Sequence, residues 1–356
     1  MSEPLEIPHS RPTLERADHD ALAECLAGHS IAQGKRVAAF ESRVAARLGK
    51  RHALATSSGT SAIVLALHGL GLPSGAEVVL PSYVCHAVLD AVLTVGATPV
   101  LCDIGDDFVM TPSAVSRVVT RATGAIIVVH TFGIPVDSSA FRSFGAPIVD
   151  DVCQAFGAPI PEGADVICAS FHATKVLTTG EGGMVLTNDA ATSERMRLFR
   201  DGASDTPHAR VPSPMTDLQA ALGVAQLDRL DGFLARRRTI AETYFKELSG
   251  LALELPERVR DTSIFFRFPL RVDGAYPAGT LQVSYETIRA RYFERRIHVR
   301  QGVDALLHRA MGLRGDAFPM TEKTFAETVC LPILPSMSDD DVALVVRATR
   351  EIIRAR

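Results

Sequence analysis

Between residues 50 and 190 the chain alternates short apolar runs with stretches whose apolar residues recur at helical spacing. The runs His52–Thr56, Glu77–Leu80, Thr98–Cys102, Ala125–His130, Pro147–Asp150, Val166–Phe171 and Gly183–Thr187 read as strands. Several are apolar throughout rather than alternating, as expected of a strand covered by helices on both faces. Helical spacing occupies Ser61–Gly69, His86–Val95, Pro112–Val119 and Ser138–Ser143 between them. The pattern predicts a three-layer α/β domain on a largely parallel sheet. From Thr216 one long helical pattern runs to Gly250, followed by a strand-like IFFRFPLRV, a helix over Ser284–Arg295 and a last helix over Ser338–Ile353. This second set predicts a smaller C-terminal α/β domain. A division into 1–235 and 236–356 follows, with a helix crossing the boundary.

Composition narrows the class. A chain of 356 residues with 47% hydrophobic and 22% charged residues suits two globular domains. The net charge is only −4 and arginines are spread out, which argues against a nucleic-acid surface. No apolar run is long enough to cross a bilayer, and the first twenty residues lack the apolar stretch of a secretory signal. Six cysteines are scattered without a CxxC pair, and no histidines stand at metal-ligand spacing. The expectations are a cytoplasmic protein, no metal, and cysteines acting as small buried hydrophobes.

Three segments carry chemistry. In ATSSGTSAIVLAL, residues 55–67, a strand ends in small residues and a helix begins. Free N–H groups at that helix start, with Ser58, Gly59 and Thr60, form an anion pocket or a plain Ser/Thr cap. In PIVDDVCQAFGA, residues 147–158, a buried strand runs into Asp150 and Asp151 at its carboxyl end. Open α/β sheets bind ligands at that edge, although an acid there also caps helices. In DVICASFHATKVLTTGEGGMVLTN, residues 165–188, two apolar runs flank a loop with one lysine, Lys175. Desolvation between two buried runs would make that amine a nucleophile fit for a Schiff base, whereas a lone lysine is ordinarily a solvated surface residue. No Gly-Lys-Ser/Thr follows the first segment and no GxGxxG opens a strand–helix turn, so neither a P-loop nor a dinucleotide fingerprint is present.

An anion pocket, an acid and a lysine, in that order along one sheet, are what pyridoxal 5′-phosphate (PLP) requires. The chain resembles the DegT/StrS-type sugar aminotransferases, a branch of the fold-type-I PLP enzymes. The resemblance is carried by FESRVAARLGKRHALATSSGTSAI, VVLPSYVCHAVLDAVLTVGATPVLCDI, VVHTFGIPVD, PIVDDVCQAFGA, SFHATKVLTTGEGGMV and MTDLQAALGVAQL, with RRIHVRQGVDALLHR and VCLPILPSMSDDD further on. It implies that Lys175 bears the cofactor, that Asp151 contacts the pyridine nitrogen and that Gln154 lies near the ring hydroxyl. Ser58, Gly59, Thr60 and Ser170 would hold the phosphate. It further implies a homodimer with sites shared between subunits, L-glutamate as amino donor, and a keto sugar, nucleotide-linked, as acceptor.

The chain departs from the family pattern twice. The aromatic expected to stack on the PLP ring is Cys85 here, so His86 or Tyr83 is the candidate cover and Cys85 a small filler. The asparagine that a partner subunit usually lends before the MTDLQAA helix is absent, and Ser213 or Arg210 is the candidate substitute beside Pro212. His172, three residues before Lys175, is a candidate substrate contact, as are Arg267 and His308. The Arg236-Arg237-Arg238 run reads as a solvated helix face. The rival functions are a PLP lyase or dehydratase, a catalytically silent regulator and a nicotinamide oxidoreductase. Dehydratases resembling this family carry histidine in place of the lysine, and the complete set of Ser58, Asp151 and Lys175 argues against a silent relative.

Overall fold

A computed structural model describes residues 6–202, 213–272 and 285–354. Two helices, α1 (Arg16–Ala27) and α2 (Lys35–Arg47), precede the first strand. Next come β1 (His52–Thr56), α3 (Gly59–Gly69), β2 (Glu77–Pro81), α4 (His86–Thr94), β3 (Thr98–Cys102) and the single-turn α5 (Pro112–Val115). β4 (Thr123–Val129), β5 (Ile148–Asp151), β6 (Val166–Ser170) and β7 (Gly183–Thr187) complete the main sheet. α6 (Ala190–Asp201), α7 (Asp217–Asp228) and α8 (Leu230–Leu248) lead into a second region. It holds β8 (Phe268–Arg271), α9 (Tyr285–Phe293), the short α10 (Leu307–Ala310), α11 (Pro319–Glu327), β9 (Thr328–Leu331) and α12 (Asp339–Arg354).

The seven strands lie in the order β1-β7-β6-β5-β4-β2-β3. β7 runs antiparallel to both its neighbours, and the other adjacent pairs are parallel. The apolar runs without alternation are explained by burial on both faces. Ile127, Val129, Val149, Val166, Cys168 and Val185 pack with α3 and α4. Their neighbours in sequence point the other way, Ile126, Val128 and Ile148 toward Phe141, and Ile167, Ala169 and Leu186 toward Phe40 of α2. A separate apolar core joins α8, α9 and α12 to the two-stranded β8–β9 sheet.

Three elements differ from the expectation. Ser138–Phe144 is a 3₁₀ helix, and the helix at Pro112 stops at Val115. The long helical pattern after Thr216 breaks at Arg229, where φ is −108° and ψ 0°. The Arg229 guanidinium turns back to Glu15 at 2.8 Å and Asp18 at 2.5 Å, so an ion-pair anchor accompanies the break. α8 runs through residue 235, and Ser284 lies outside the described residues.

Candidate active site

The strand alternation of β5 decides what its two acids do. Asp150 shares a face with Ile148 and is fully buried, accepting a hydrogen bond from the Ser138 hydroxyl and lying 3.3 Å from His130 Nε2. His130 Nδ1 accepts the Val136 N–H at 3.1 Å, which places the proton of a neutral ring on Nε2, facing Asp150. Asp150 is therefore engaged behind the sheet. Asp151 shares the opposite face with Val149, toward α3, and is 4% exposed. One of its oxygens accepts the Cys153 N–H at 2.9 Å.

α3 begins on that same face. Ser58 caps it, its Oγ accepting the Ser61 N–H at 3.1 Å, so the cap reading of this segment holds. The first intrahelical bond runs from Ala62 N–H to the Ser58 carbonyl, which leaves the Gly59 and Thr60 N–H groups ahead of it at the positive end of the helix. Ser170, at the end of β6, lies directly against Gly59, and a Cβ at residue 59 would stand 2.7 Å from Ser170 Cβ. The Ser170 Oγ accepts the His172 N–H at 3.4 Å, leaving its own proton to donate. Gly183 is required for a similar reason, since a side chain there would run into the Ser58 carbonyl. The backbone thus packs closely against the start of α3, with the Gly59 and Thr60 N–H groups beside Ser170.

The lysine loop is an excursion between the antiparallel strands β6 and β7. It is pinned by Phe171 N–H to Gly182 O and Thr179 N–H to Phe171 O, both 2.8 Å. Within it Lys175 N–H donates to the His172 carbonyl at 2.9 Å, and Lys175 Nζ lies 5.3 Å from the centroid of the Phe266 ring. His172 Nδ1 accepts the Thr174 N–H at 3.3 Å and meets the Thr174 hydroxyl at 2.9 Å. Its Nε2 faces the Glu181 carboxylate at 3.6 Å.

Cys153 links these groups, its N–H bonded to Asp151 and its Sγ 3.3 Å from where a Cβ at Gly59 would stand. Dense packing around Cys153 pushes its thiol well above the ordinary value, with Asp151 adding to the shift and Lys175 opposing it. Cys85 is raised by the same crowding although it is exposed, with Lys175 opposing the shift and Asp151 adding to it. Cys85 is therefore exposed rather than a buried filler. His86, the first residue of α4, is exposed beside it. Gln154 Oε1 accepts the Phe132 N–H at 2.8 Å and fixes the left-handed turn at the carboxyl end of β4, where Phe132 has φ 57°. The Ser213 carbonyl accepts the Ser57 N–H at 2.7 Å, which sets this residue against the phosphate-type loop of its own chain. Arg210 and Pro212 lie outside the described residues.

Other candidates are placed elsewhere. Tyr83 is fully buried among Phe108, Phe132, Val303 and Leu306, so it does not cover a ring in the cleft. His308 is also fully buried, held by Ser82 Oγ at 2.7 Å and Glu322 at 2.8 Å and stacked on Phe318. It braces Ser82, three residues ahead of Cys85, from the protein interior. Arg237 is 3% exposed and donates through Nη1 to the carbonyls of Phe265, Phe266 and Ile333, which corrects the solvated-face reading of the arginine run. Sequence reasoning missed Phe266 and Cys153. Phe266 sits in an apolar run that gives no signal, while Cys153, two residues beyond Asp151, could have been inferred from the strand's direction.

The cradle that only glycine permits at residue 59, the buried Asp151 carboxylate and the Lys175 amine fit PLP. Fold and site together define a fold-type-I PLP enzyme. The chain matches the DegT/DnrJ/EryC1/StrS aminotransferase family over residues 12–350 and belongs to it. It is 29% identical over 381 residues to the spore coat polysaccharide biosynthesis protein SpsC of Bacillus subtilis (strain 168), covering 98% of this chain and 97% of that protein. The aminotransferase TlmJ of Streptoalloteichus hindustanus superposes with a TM-score of 0.90 at 30% identity, covering 98% of this chain and 99% of that one. DesV of S. venezuelae, solved with a ketimine intermediate, gives 0.85 at 30% identity, covering 94% and 93% of the two chains. This chain is a PLP-dependent aminotransferase. Among the described residues no helix is long and apolar enough to cross a membrane.

Proposed function

We propose that the enzyme transfers an amino group from L-glutamate to the carbonyl of a nucleotide-linked keto sugar, in two alternating half-reactions on one site. The observation that carries the reaction type is the contact chain from the buried Asp151 through Cys153 to Gly59 and Ser170, with the charge of Lys175 acting on the same Cys153 thiol. The sugar is supported by the family and by the polysaccharide role in the name of SpsC. In this reading the Gly59 and Thr60 N–H groups and the Ser58 and Ser170 hydroxyls take the phosphate. Asp151, buried at the sheet edge, holds a proton on the pyridine nitrogen, because a neighbouring carboxylate favours the charged ring. Gln154, its oxygen committed to Phe132, offers its amide N–H groups to the ring hydroxyl. Cys85 and His86 border the ring face. Bound PLP supplies the electron sink for the substrate carbon. Lys175 Nζ would hold the cofactor, and as a free neutral amine it would take the proton from the substrate carbon and return it. The Phe266 ring face would favour Lys175 Nζ in the ammonium form, after it has taken up the proton. His172, held by Thr174 and facing Glu181, would orient a substrate group near Lys175. A homodimer in the cytoplasm completes the proposal, with Ser213 beside the phosphate seat.

The test is spectroscopic and chemical. Wild-type protein with PLP should show a visible absorption band that fades on adding L-glutamate as 2-oxoglutarate appears. Lys175→Ala should lose the band and about 10²–10⁴-fold or more of turnover. Release of 2-oxoglutarate without amination of any nucleotide-linked keto sugar would overturn the acceptor and leave the reaction type standing.

A further inference from the structure

Arg267 stands half-buried just before β8 with its charge unanswered. Nη1 donates to the Gln301 carbonyl at 2.8 Å and the Gly302 carbonyl at 2.6 Å, while Nε is buried without a partner. Nη2 donates to no oxygen among the described residues, and none of their carboxylates pairs with the guanidinium. Carbonyl bonds satisfy donors but leave the positive charge in place. Arg267 and Arg237 border one narrow crevice with Ser10, Thr174 and Phe266, and no acidic residue lines it. Arg237 likewise donates to carbonyls, those of Phe265, Phe266 and Ile333. The field is felt by His9 on the same crevice, where burial, and then Arg267 ahead of any other charge, hold the imidazole well below its ordinary value. The crevice adjoins the reactive amine. Thr174 precedes Lys175, and the Phe266 ring centroid lies 5.3 Å from Lys175 Nζ and 5.9 Å from the Arg267 guanidinium carbon. At about 20 Å³ the crevice takes one water-sized polar group, the end of a small ligand and not a sugar ring.

We propose that Arg267 anchors a carboxylate of the amino donor, so that this positive crevice selects an amino acid over an amine without a carboxylate. The proposal rests on the reading of L-glutamate as donor. With the donor nitrogen near Lys175 Nζ, a carboxylate reaching past Phe266 accepts from Arg267 Nη2 in a charge-assisted hydrogen bond. The two carbonyls on Nη1 hold the planar guanidinium in one direction, so little freedom is lost when the carboxylate arrives. Glutamate has one carboxylate on Cα and one at the end of its side chain, and the chemistry at Arg267 is the same for either.

The experiment is calorimetric titration of the PLP-loaded enzyme with glutarate, a dicarboxylate that has no amine to transfer, and with its neutral diamide. Glutarate should bind saturably and the diamide should not. Arg267→Met should weaken glutarate about tenfold or more, and Arg267→Lys by less, since it returns the charge without the fork. Lysine also keeps a donor for the Gln301 or Gly302 carbonyl, so the test stands if the methionine variant loosens that loop. Arg16→Ala, removing an exposed arginine of α1 paired with Asp20, should leave binding unchanged and controls for net charge. Stopped-flow fading of the visible band then tells which carboxylate is held. A rise in half-saturating concentration for L-glutamate but not L-alanine in Arg267→Met assigns the side-chain carboxylate, and a rise for both assigns the one on Cα. The limiting rate should change only severalfold, because Arg267 binds and does not react. Equal glutarate affinity and equal half-saturation in wild type and both variants would overturn the anchor and leave glutamate as donor. A band that fades with L-alanine and not with L-glutamate overturns the donor alone, and the anchor is then decided by the L-alanine half-saturation in Arg267→Met.

Discussion

Asp150 and Asp151 are adjacent in sequence and opposite in surroundings, because a strand turns successive side chains to opposite faces. Asp150 accepts from Ser138 and faces the His130 N–H behind the sheet, so its work is structural. Asp151 sits on the opposite face, accepts the Cys153 N–H, and its charge raises the Cys153 and Cys85 thiols. Asp150→Asn should lower unfolding free energy by about 1–3 kcal/mol and change turnover only severalfold. Asp151→Asn should leave stability within about 1 kcal/mol and lower kcat by about 10²–10⁴. Urea midpoints and steady-state rates on the two variants check this directly. The opposite pattern would mean that the two faces have been assigned the wrong way round.

At the scale of elements, the site depends on how the second region holds Phe266 over Lys175. Arg237 of α8 ties the carbonyls of Phe265, Phe266 and Ile333 to one guanidinium, joining the segment before β8 to the turn after β9. Arg237→Met leaves buried carbonyls without a donor and should cost about 3 kcal/mol, read from chemical denaturation. Arg236 sits half on the surface, bonded to the Met337 carbonyl and Asp339, and Arg236→Met should cost less than about 1 kcal/mol. A second tie lies in α11, where Glu322 receives both Arg309 and His308. The Arg309 guanidinium, with help from His308, holds the Glu322 carboxyl below its ordinary range. A depressed carboxylate contributes stability that is present above its unfolded pKa and lost as pH falls through the folded value. Glu322→Gln should therefore flatten the acid limb of stability below about pH 4.5, measured by thermal unfolding against pH.

Across the whole molecule, the sheet and the site were legible because their physics is local. Strands buried on both faces leave unbroken apolar runs, and the residues proposed to serve PLP lie at a helix start (Ser58), a strand end (Asp151) and the loop between two strands (Lys175). What stayed hidden depends on contacts between distant segments. Nothing in the run at residues 236–238 reveals that the middle arginine meets carbonyls nearly thirty and a hundred residues away. The break at Arg229 carries neither glycine nor proline, and its anchor is Asp18. The N-terminal segment is the largest example. Ile7 N–H donates to the Arg296 carbonyl and the His298 N–H to the Ile7 carbonyl, both at 2.9 Å, which stitches the start of the chain onto the loop after α9. The Ile7 side chain is buried in the core of α8, α9 and α12, apart from the main sheet. Ile7→Ala should consequently loosen the C-terminal core first, at a cost of about 2–5 kcal/mol for a truncated core isoleucine. Amide hydrogen exchange separates the two regions. Residues 288–299 should exchange faster in the variant while 125–129 of β4 keep their protection. Uniform acceleration in both would instead mean that the two cores unfold as a single cooperative unit, with the N-terminal segment stabilising the molecule as a whole.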